Sequence, residues 1–428
     1  MVVLMLLGLP SAVSMALVGA GTGVIVFGVP FLSSTGAMLW GVPNDNLLTV
    51  APLFILLREL LLRSGMADRI YGAMSAWLSK LPAGLLHTNI ACCALFAATS
   101  GSSVATAAAS GSSVATAATV GTVALPSLQA RKYPMPQALG SLAAGGTLGI
   151  LIPPSINMIL YGSLTENAIG KLSIAGIIPG LLLTGFFMLY ILVSSYFKGD
   201  VPREELPPMR ERVRQLVHLI PPLVIFGIVM GSLYTGFATA TESAALGVVV
   251  ALFFAWQAGR LSWGMLETCF LQTARSTGMI MLIMAAAFVL NLLISLSGVA
   301  ETMTKSVTSL GLSATAMLLV LIVFYLLLGM FMDVLSMLVA TVPIVYPIVK
   351  ALGVDPIWFG IFIILMCELA LITPPVGMNL FVVQGVRPDR GGIGEVIRGA
   401  FPYVVIMMLF TLLLMAFASI VTYLPGKM

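Results

Sequence analysis

The sequence predicts an all-α polytopic membrane fold built from two halves of inverted topology, and three observations carry that prediction. Apolar segments dominate: 59% of the 428 residues are hydrophobic, 8% are charged, and the mean hydropathy is +1.09. Adjacent prolines, Pro153-Pro154 and Pro374-Pro375, interrupt one apolar segment in each half. Basic residues gather in a few clusters, and the positive-inside rule accommodates them only if two segments enter and leave on the same side.

A soluble domain carries about 25% charged residues, so this chain has roughly a third of the charge needed to dissolve it. At ~20 residues per span, its length holds roughly ten to twelve membrane segments, and the lipid bilayer is its expected surroundings. No charge precedes Asp45, so the first residues read as membrane spans rather than as a cleaved signal peptide. Cys92, Cys93, Cys269 and Cys367 lie in apolar sequence without metal-ligand spacing and are expected to be small core residues. The net charge of +4 is scattered, so no nucleic-acid partner is expected.

Each half reads as three spans, a re-entrant hairpin, a broken span and a final span. The first half, 1–197, places spans near 2–18, 19–38 and 47–64, a hairpin opening to the cytoplasm at about 85–126, a broken span at about 142–162 and a span near 172–197. The charged, proline-bearing stretch 198–215 (KGDVPREELPPMRERVRQ) reads as a cytoplasmic linker, and Arg58 to Arg69 as another loop-marking cluster. The second half, 216–428, places spans near 216–235, 240–258 and 275–298. An outward-opening hairpin at about 314–346, a broken span at about 357–385 and a last span near 400–424 follow.

Proline removes a backbone donor and costs ~3 kcal/mol inside a helix, so two in a row force a real interruption. Lipid cannot satisfy the carbonyls this frees, and such backbone must face protein or a water-filled cavity. Interruptions in corresponding positions of two halves point to a transporter's central site. The hairpin tips add polar atoms at the same depth: Ser100-Gly101-Ser102-Ser103 in the first and Gly329 to Ser336, with Asp333, in the second. Hydroxyls, free carbonyls and one carboxylate suit a small hard cation such as Na⁺ better than a transition metal. Helix N-termini beside them suit a carboxylate. Asp333 is a functional candidate by default, being an intramembrane carboxylate with no basic residue in its own segment. Glu242, behind Thr239, and Glu368 read as structural.

The block SGSSVATAA occurs twice, at Ser100 to Ala108 and at Ser110 to Ala118. The copies are displaced by ten residues and would not share a helix face, so which one forms the tip stays open. Candidate Na⁺ contacts are therefore Ser100, Gly101 and Ser102 or Ser110, Gly111 and Ser112, then Gly149 and Pro153. Asp333, Ser336, Thr373, Gly377 and Met378 make up the second-half set. Candidate substrate contacts are the hydroxyls and amides of Ser103 or Ser113, Ser155, Asn157 and Asn379.

Five stretches carry a resemblance: Ser110 to Pro126, Ile152 to Gly162 (IPPSINMILYG), Gly329 to Asp333 (GMFMD), Phe359-Gly360-Ile361, and Glu368 to Val383 (ELALITPPVGMNLFVV). With them the chain resembles, along essentially its whole length, the large membrane subunit of the tripartite ATP-independent periplasmic (TRAP) transporters. The resemblance implies an elevator-type carrier in the bacterial inner membrane, with no cofactor, driven by Na⁺ as coupling ion. It implies an organic acid substrate delivered by a soluble extracytoplasmic binding protein, and a small four-span membrane subunit as partner. Ala240 stands where the family's Thr-Pro-Thr-Glu motif has proline. A self-sufficient Na⁺/dicarboxylate symporter is the alternative within transport. An intramembrane serine hydrolase would need a base near Ser102 or Ser112, and His87 and His218 are not at that depth, so no enzyme is expected.

Overall fold

A computed structural model describes residues 2–41, 49–100, 112–198, 208–309, 311–375, 377–387, 389 and 391–427, and every regular element in it is helical. The first half runs α1 (Val2–Leu6), α2 (Ser11–Phe27), α3 (Pro30–Gly41), α4 (Val50–Arg63), α5 (Met66–Leu78), α6 (Gly84–Ser100) and α7 (Ser112–Ala130). It continues through α8 (Met135–Leu151), α9 (Ile156–Thr165), α10 (Ile169–Ala175) and α11 (Ile177–Lys198). The second half runs α12 (Met209–Gln215), α13 (Ile220–Tyr234), α14 (Ala240–Gln257), α15 (Trp263–Ser297), α16 (Val299–Ser309), α17 (Ala314–Gly329) and α18 (Val334–Ala351). It ends with α19 (Pro356–Leu371), α20 (Met378–Gly385), α21 (Ile393–Ala416) and α22 (Ser419–Thr422).

Among the described residues six helices are long and apolar enough to cross a membrane, or seven if the bent pair α8 and α9 is one span. The other apolar helices are shorter: α2, the first hairpin's Gly84–Ala98 stretch, α17 and α19. Of these, Gly84–Ala98 and α17 are hairpin arms and α19 is a half-helix, whereas α18, the other arm of the second hairpin, is among the six. Four of the expected boundaries shift. The junction expected near residue 18 falls inside α2, where nothing opposes helix; the chain breaks instead at Gly28, with φ 77°, just before Pro30. Arg58 to Arg69 is not a loop, because α4 keeps Arg58 and Glu59 buried and α5 starts at Met66 after a left-handed Gly65. The end of the expected linker is helical as α12, held to α5 by Trp77, whose indole N–H donates to Arg212 O at 3.0 Å while the Arg212 guanidinium lies 4.8 Å over its ring. The span expected from 275 starts earlier, at Trp263, behind a Ser262 cap.

The helices pack as two blocks. In one, α15 lies along α2, α3 and α4, and α14 packs on α4 and α13. Gly247 lets α14 close on Leu57 of α4. The other block is centred on α8 and α19, in which Ala138 to Leu151 and Trp358 to Leu371 are buried without exception. Around them the contacts are reciprocal: α7 of the first hairpin packs on α20, α18 of the second hairpin packs on α9, and α8 meets α19. A twofold relation between the halves requires that exchange. The final helices of the halves, α11 and α21, also join this block, through Phe187 and Tyr190 on Tyr403, each at 5.1 Å between ring centroids.

Between α20 and α21, the buried Arg387 pairs with Asp389 and Glu395. The hydrogen bond from Arg387 holds the Asp389 carboxyl below its ordinary value of 3.8. A lowered carboxylate adds stability that is complete above the ordinary pKa and fades as pH falls through the lowered one. Arg387→Leu should therefore lower the melting temperature at pH 7, and the deficit against the parent should shrink by pH 3. An equal deficit at both pH values in a thermal melt would assign Arg387 a packing role only.

Candidate functional site

The site is built from the two breaks and the second hairpin tip. In the first half α8 ends at Leu151, Ile152 to Ser155 are non-helical, and α9 starts at Ile156 with the axis bent by 41°. Pro153 and Pro154 bring no amide to the carbonyls of Gly149 and Ile150, the acceptors one helical turn back. In the second half α19 ends at Leu371 and α20 starts at Met378. Both Pro-Pro bonds, Pro153-Pro154 and Pro374-Pro375, are cis.

The second break is closed on itself by Gly377. Its N–H donates to Thr373 O at 3.1 Å, and a Cβ on it would lie 2.9 Å from both Leu371 O and Thr373 O. Those carbonyls thus line a space that any side chain at 377 would fill. The Thr373 hydroxyl donates back to Leu369 O at 2.7 Å and keeps lone pairs for another partner.

The second tip reaches the same place. Gly329 approaches α19 so closely that a Cβ would sit 2.1 Å from that of Ala370, one turn before Thr373. After the tip, Asp333 caps α18, its Oδ2 accepting from Ser336 N at 3.1 Å. Capping explains part of Asp333's presence, and the carboxylate is half-buried rather than enclosed. The Ser336 hydroxyl is buried beside it with no hydrogen-bond partner among the described residues. Asp333, Ser336, Thr373, Gly377 and Met378 are therefore brought to one end of α19. Oxygen donors dominate the set, which fits a hard cation. No cluster of His, Cys, Asp or Glu able to hold a metal occurs among the described residues.

The halves meet at Asn379. Its Nδ2 donates to Ala143 O on α8 at 3.2 Å, and its buried Oδ1 has no partner among the described residues. In the first break Ser155 and Asn157 are both buried, and Asn157 Nδ2 has no partner among the described residues. Gly149 and Pro153 lie at the end of α8 and in the break. Of the first tip, Gly101, Ser102, Ser103, Ser110 and Gly111 lie outside the described residues. Ser100 ends α6, and Ser112 and Ser113 open α7, in backbone only. Its arms pack on α8, where Gly145 admits Cys93.

Several features escaped sequence reasoning. Ala143 contributes a main-chain carbonyl, which no residue pattern marks. Tyr161 donates to Pro356 O at 2.7 Å and Asn167 to the Tyr346 hydroxyl at 3.1 Å, tying α9 to α19 and α18. A further chain runs from the Tyr71 hydroxyl to Asn89 Oδ1 at 3.2 Å and from Asn89 Nδ2 to Ser141 Oγ at 2.8 Å. The apolar spacing of Met66, Ile70, Ala73 and Trp77 was the available signal for α5. Glu242 does cap its helix: its Oε2 accepts from Thr239 N at 2.8 Å, completing a capping box. Glu368 is fully buried in α19, and all four cysteines are buried thiols.

A family model described as the tripartite ATP-independent periplasmic transporter, DctM component, matches residues 1–111 and 106–420. The two pieces overlap inside the repeated block. The chain is 34% identical over 416 residues to a C4-dicarboxylate TRAP transporter large permease protein of Pseudomonas aeruginosa, covering 96% of this chain and 92% of that one. It is 30% identical over 404 residues to the 2,3-diketo-L-gulonate TRAP transporter large permease protein of Escherichia coli, covering 94% and 91%. The crystal structure of the YdaH transporter of Alcanivorax borkumensis shares the fold, with a TM-score of 0.68 over 98% of this chain and 99% of that one, at 15% identity. These relatives are transport proteins, so the serine-hydrolase reading falls away. The chain belongs to the DctM component family of tripartite ATP-independent periplasmic transporters, a large permease of the inner membrane and not an enzyme.

Proposed function

We propose that this permease imports a small organic carboxylate, driven by a Na⁺ gradient, from a soluble extracytoplasmic binding protein and together with a small four-span membrane subunit. The observation that carries the reading is the pattern of unmatched buried atoms at the breaks. Among the described residues Ser336 Oγ, next to the Asp333 cap, and Asn379 Oδ1, two residues after Gly377, are open acceptors, which suits a cation. Asn157 Nδ2 is an open donor at the other break, which suits a carboxylate. A buried polar group left without a partner costs about 1–3 kcal/mol, so these atoms favour ligands that satisfy them. Relatives named for C4-dicarboxylate and 2,3-diketo-L-gulonate support an organic acid and leave its identity to experiment.

The halves are inverted in the membrane on this reading, and the block around α8 and α19 moves against the block around α2 and α15. Because α11 and α21 pack with α8, they travel with the hairpins, a larger moving unit than hairpins and broken spans alone. Cross-linking cysteines at 187 and 403, whose native rings lie 5.1 Å apart, should leave uptake intact, whereas a cross-link between α15 and α18 should stop it. Full uptake with α15 and α18 completely linked would sink the moving-block mechanism.

Reconstitution tests the function itself. Proteoliposomes holding the chain and its small subunit should take up labelled dicarboxylate only with both the loaded binding protein and an inward Na⁺ gradient. Uptake of free substrate by the chain alone would favour the self-sufficient symporter. Uptake indifferent to Na⁺ would reject the coupling.

A further inference from the structure

A cavity of about 350 Å³ opens far from the breaks, where the α4–α5 turn, the start of α13 and the end of α14 meet. That volume is within the ~300–1,000 Å³ typical of small-molecule sites. Its lining is mixed. Arg69, His218 and Gln257 supply polar side chains. The first turn of the 13-residue helix α5 lies there too, and Gly65 at its cap offers no side chain to the free amides. Val217, Ile220, Pro221 and Phe254 supply the apolar lining. Apolar residues here and on α13 and α14 are exposed: Val217, just before α13, is 58%, Ile220 50% and Trp256 66% exposed. Faces of that kind on membrane spans lie against acyl chains.

The surroundings add charge. Arg210 and Arg214 on α12 and Arg260 after α14 are exposed at this end, with Asp68 and Glu211 the nearby acids. The Trp77 and Arg212 pair sits at the same level, as expected for residues at a membrane–water interface. By the positive-inside rule this end faces the cytoplasm, whose leaflet carries anionic lipid, and basic pockets between helices there suit lipid headgroups.

We propose that this cavity seats the headgroup of an anionic glycerophospholipid. The phosphate lies against Arg69, His218 and the α5 amides, and the acyl chains run down α13 and α14. The full chain, stripped of lipid in detergent, would be titrated with phosphatidylglycerol, phosphatidylcholine or inorganic phosphate. Retained lipid would be followed by native mass spectrometry, and stability by melting temperature. Phosphatidylglycerol should be retained and should raise the melting temperature. Arg69→Gln with His218→Leu should cut retention about tenfold, the loss expected for roughly one charged contact, while Lys305→Gln on α16, which does not line the cavity, should not. Gln257→Trp, which fills the cavity, should cut retention as well and serves as the test if the double variant does not fold. Equal retention of phosphatidylcholine, an equal loss in Lys305→Gln, or the same thermal shift from phosphate alone would overturn the proposal.

Discussion

Asp333→Asn is expected to fold normally and to lose Na⁺-driven uptake by about 10- to 100-fold, the equivalent of one interaction to a charged group of ~1.5–3 kcal/mol. The substitution separates the cap that the carboxylate forms from the cation contact proposed for it. As a cap, Asp333 accepts from Ser336 N, and asparagine does this nearly as well as aspartate. As the proposed ligand it would supply negative charge next to the Ser336 hydroxyl, which asparagine cannot do. Asp333→Ala removes both and should also lower the melting temperature, by about 1 kcal/mol of capping. Uptake at the parental rate and unchanged Na⁺ dependence in Asp333→Asn would leave the residue as a cap only.

Gly140→Ala is expected to destabilise the protein by about 2–3 kcal/mol, toward the upper end of what overpacking costs. The Cβ would lie 2.1 Å from Gly399 O, and a Cβ at Gly399 would lie 1.8 Å from Pro136 O. Both obstacles are main chain, so no rotamer change relieves them and α8 and α21 must separate. That separation would loosen α21 from the block that holds both breaks. Gly227→Ala on α13 is the control, because nothing lies within 4 Å of its added methyl. Removing a helical glycine there should be neutral or slightly stabilising. Thermal melts of the three purified proteins decide the matter: equal midpoints for Gly140→Ala and the parent would mean the helices are not held in backbone contact.

Much of the fold was legible because it rests on local properties. Pro153-Pro154 and Pro374-Pro375 announce breaks wherever they sit, since a missing N–H needs no tertiary partner to matter. The hairpin turns at Gly329 to Asp333 and the Thr239–Glu242 cap are likewise short-range. The misplacements have local causes as well. Charge in Arg58 to Arg69 suggests a loop, yet the Arg63 and Glu59 side chains pair at 3.3 Å one helical turn apart, and α4 runs as far as Arg63. The end of α2 and the start of α3 turn on Gly28 and Pro30, which a hydropathy window averages away.

By itself, then, the sequence determined that the chain lives in a membrane, that each half holds a hairpin and a broken helix, and that oxygen-bearing side chains flank the breaks. Only the tertiary structure decided which of these meet. Residues 143 and 379, 140 and 399, and 329 and 370 come together through packing of helices distant in the chain, and no periodicity within one segment encodes its neighbour. It also decided that Ser336, Asn157 and Asn379 keep atoms unmatched among the described residues, because satisfaction depends on every group around an atom and not on the residue that bears it. The Pro-Pro breaks thus fix where the backbone opens, and the packing of α8 against α19 fixes what it opens onto.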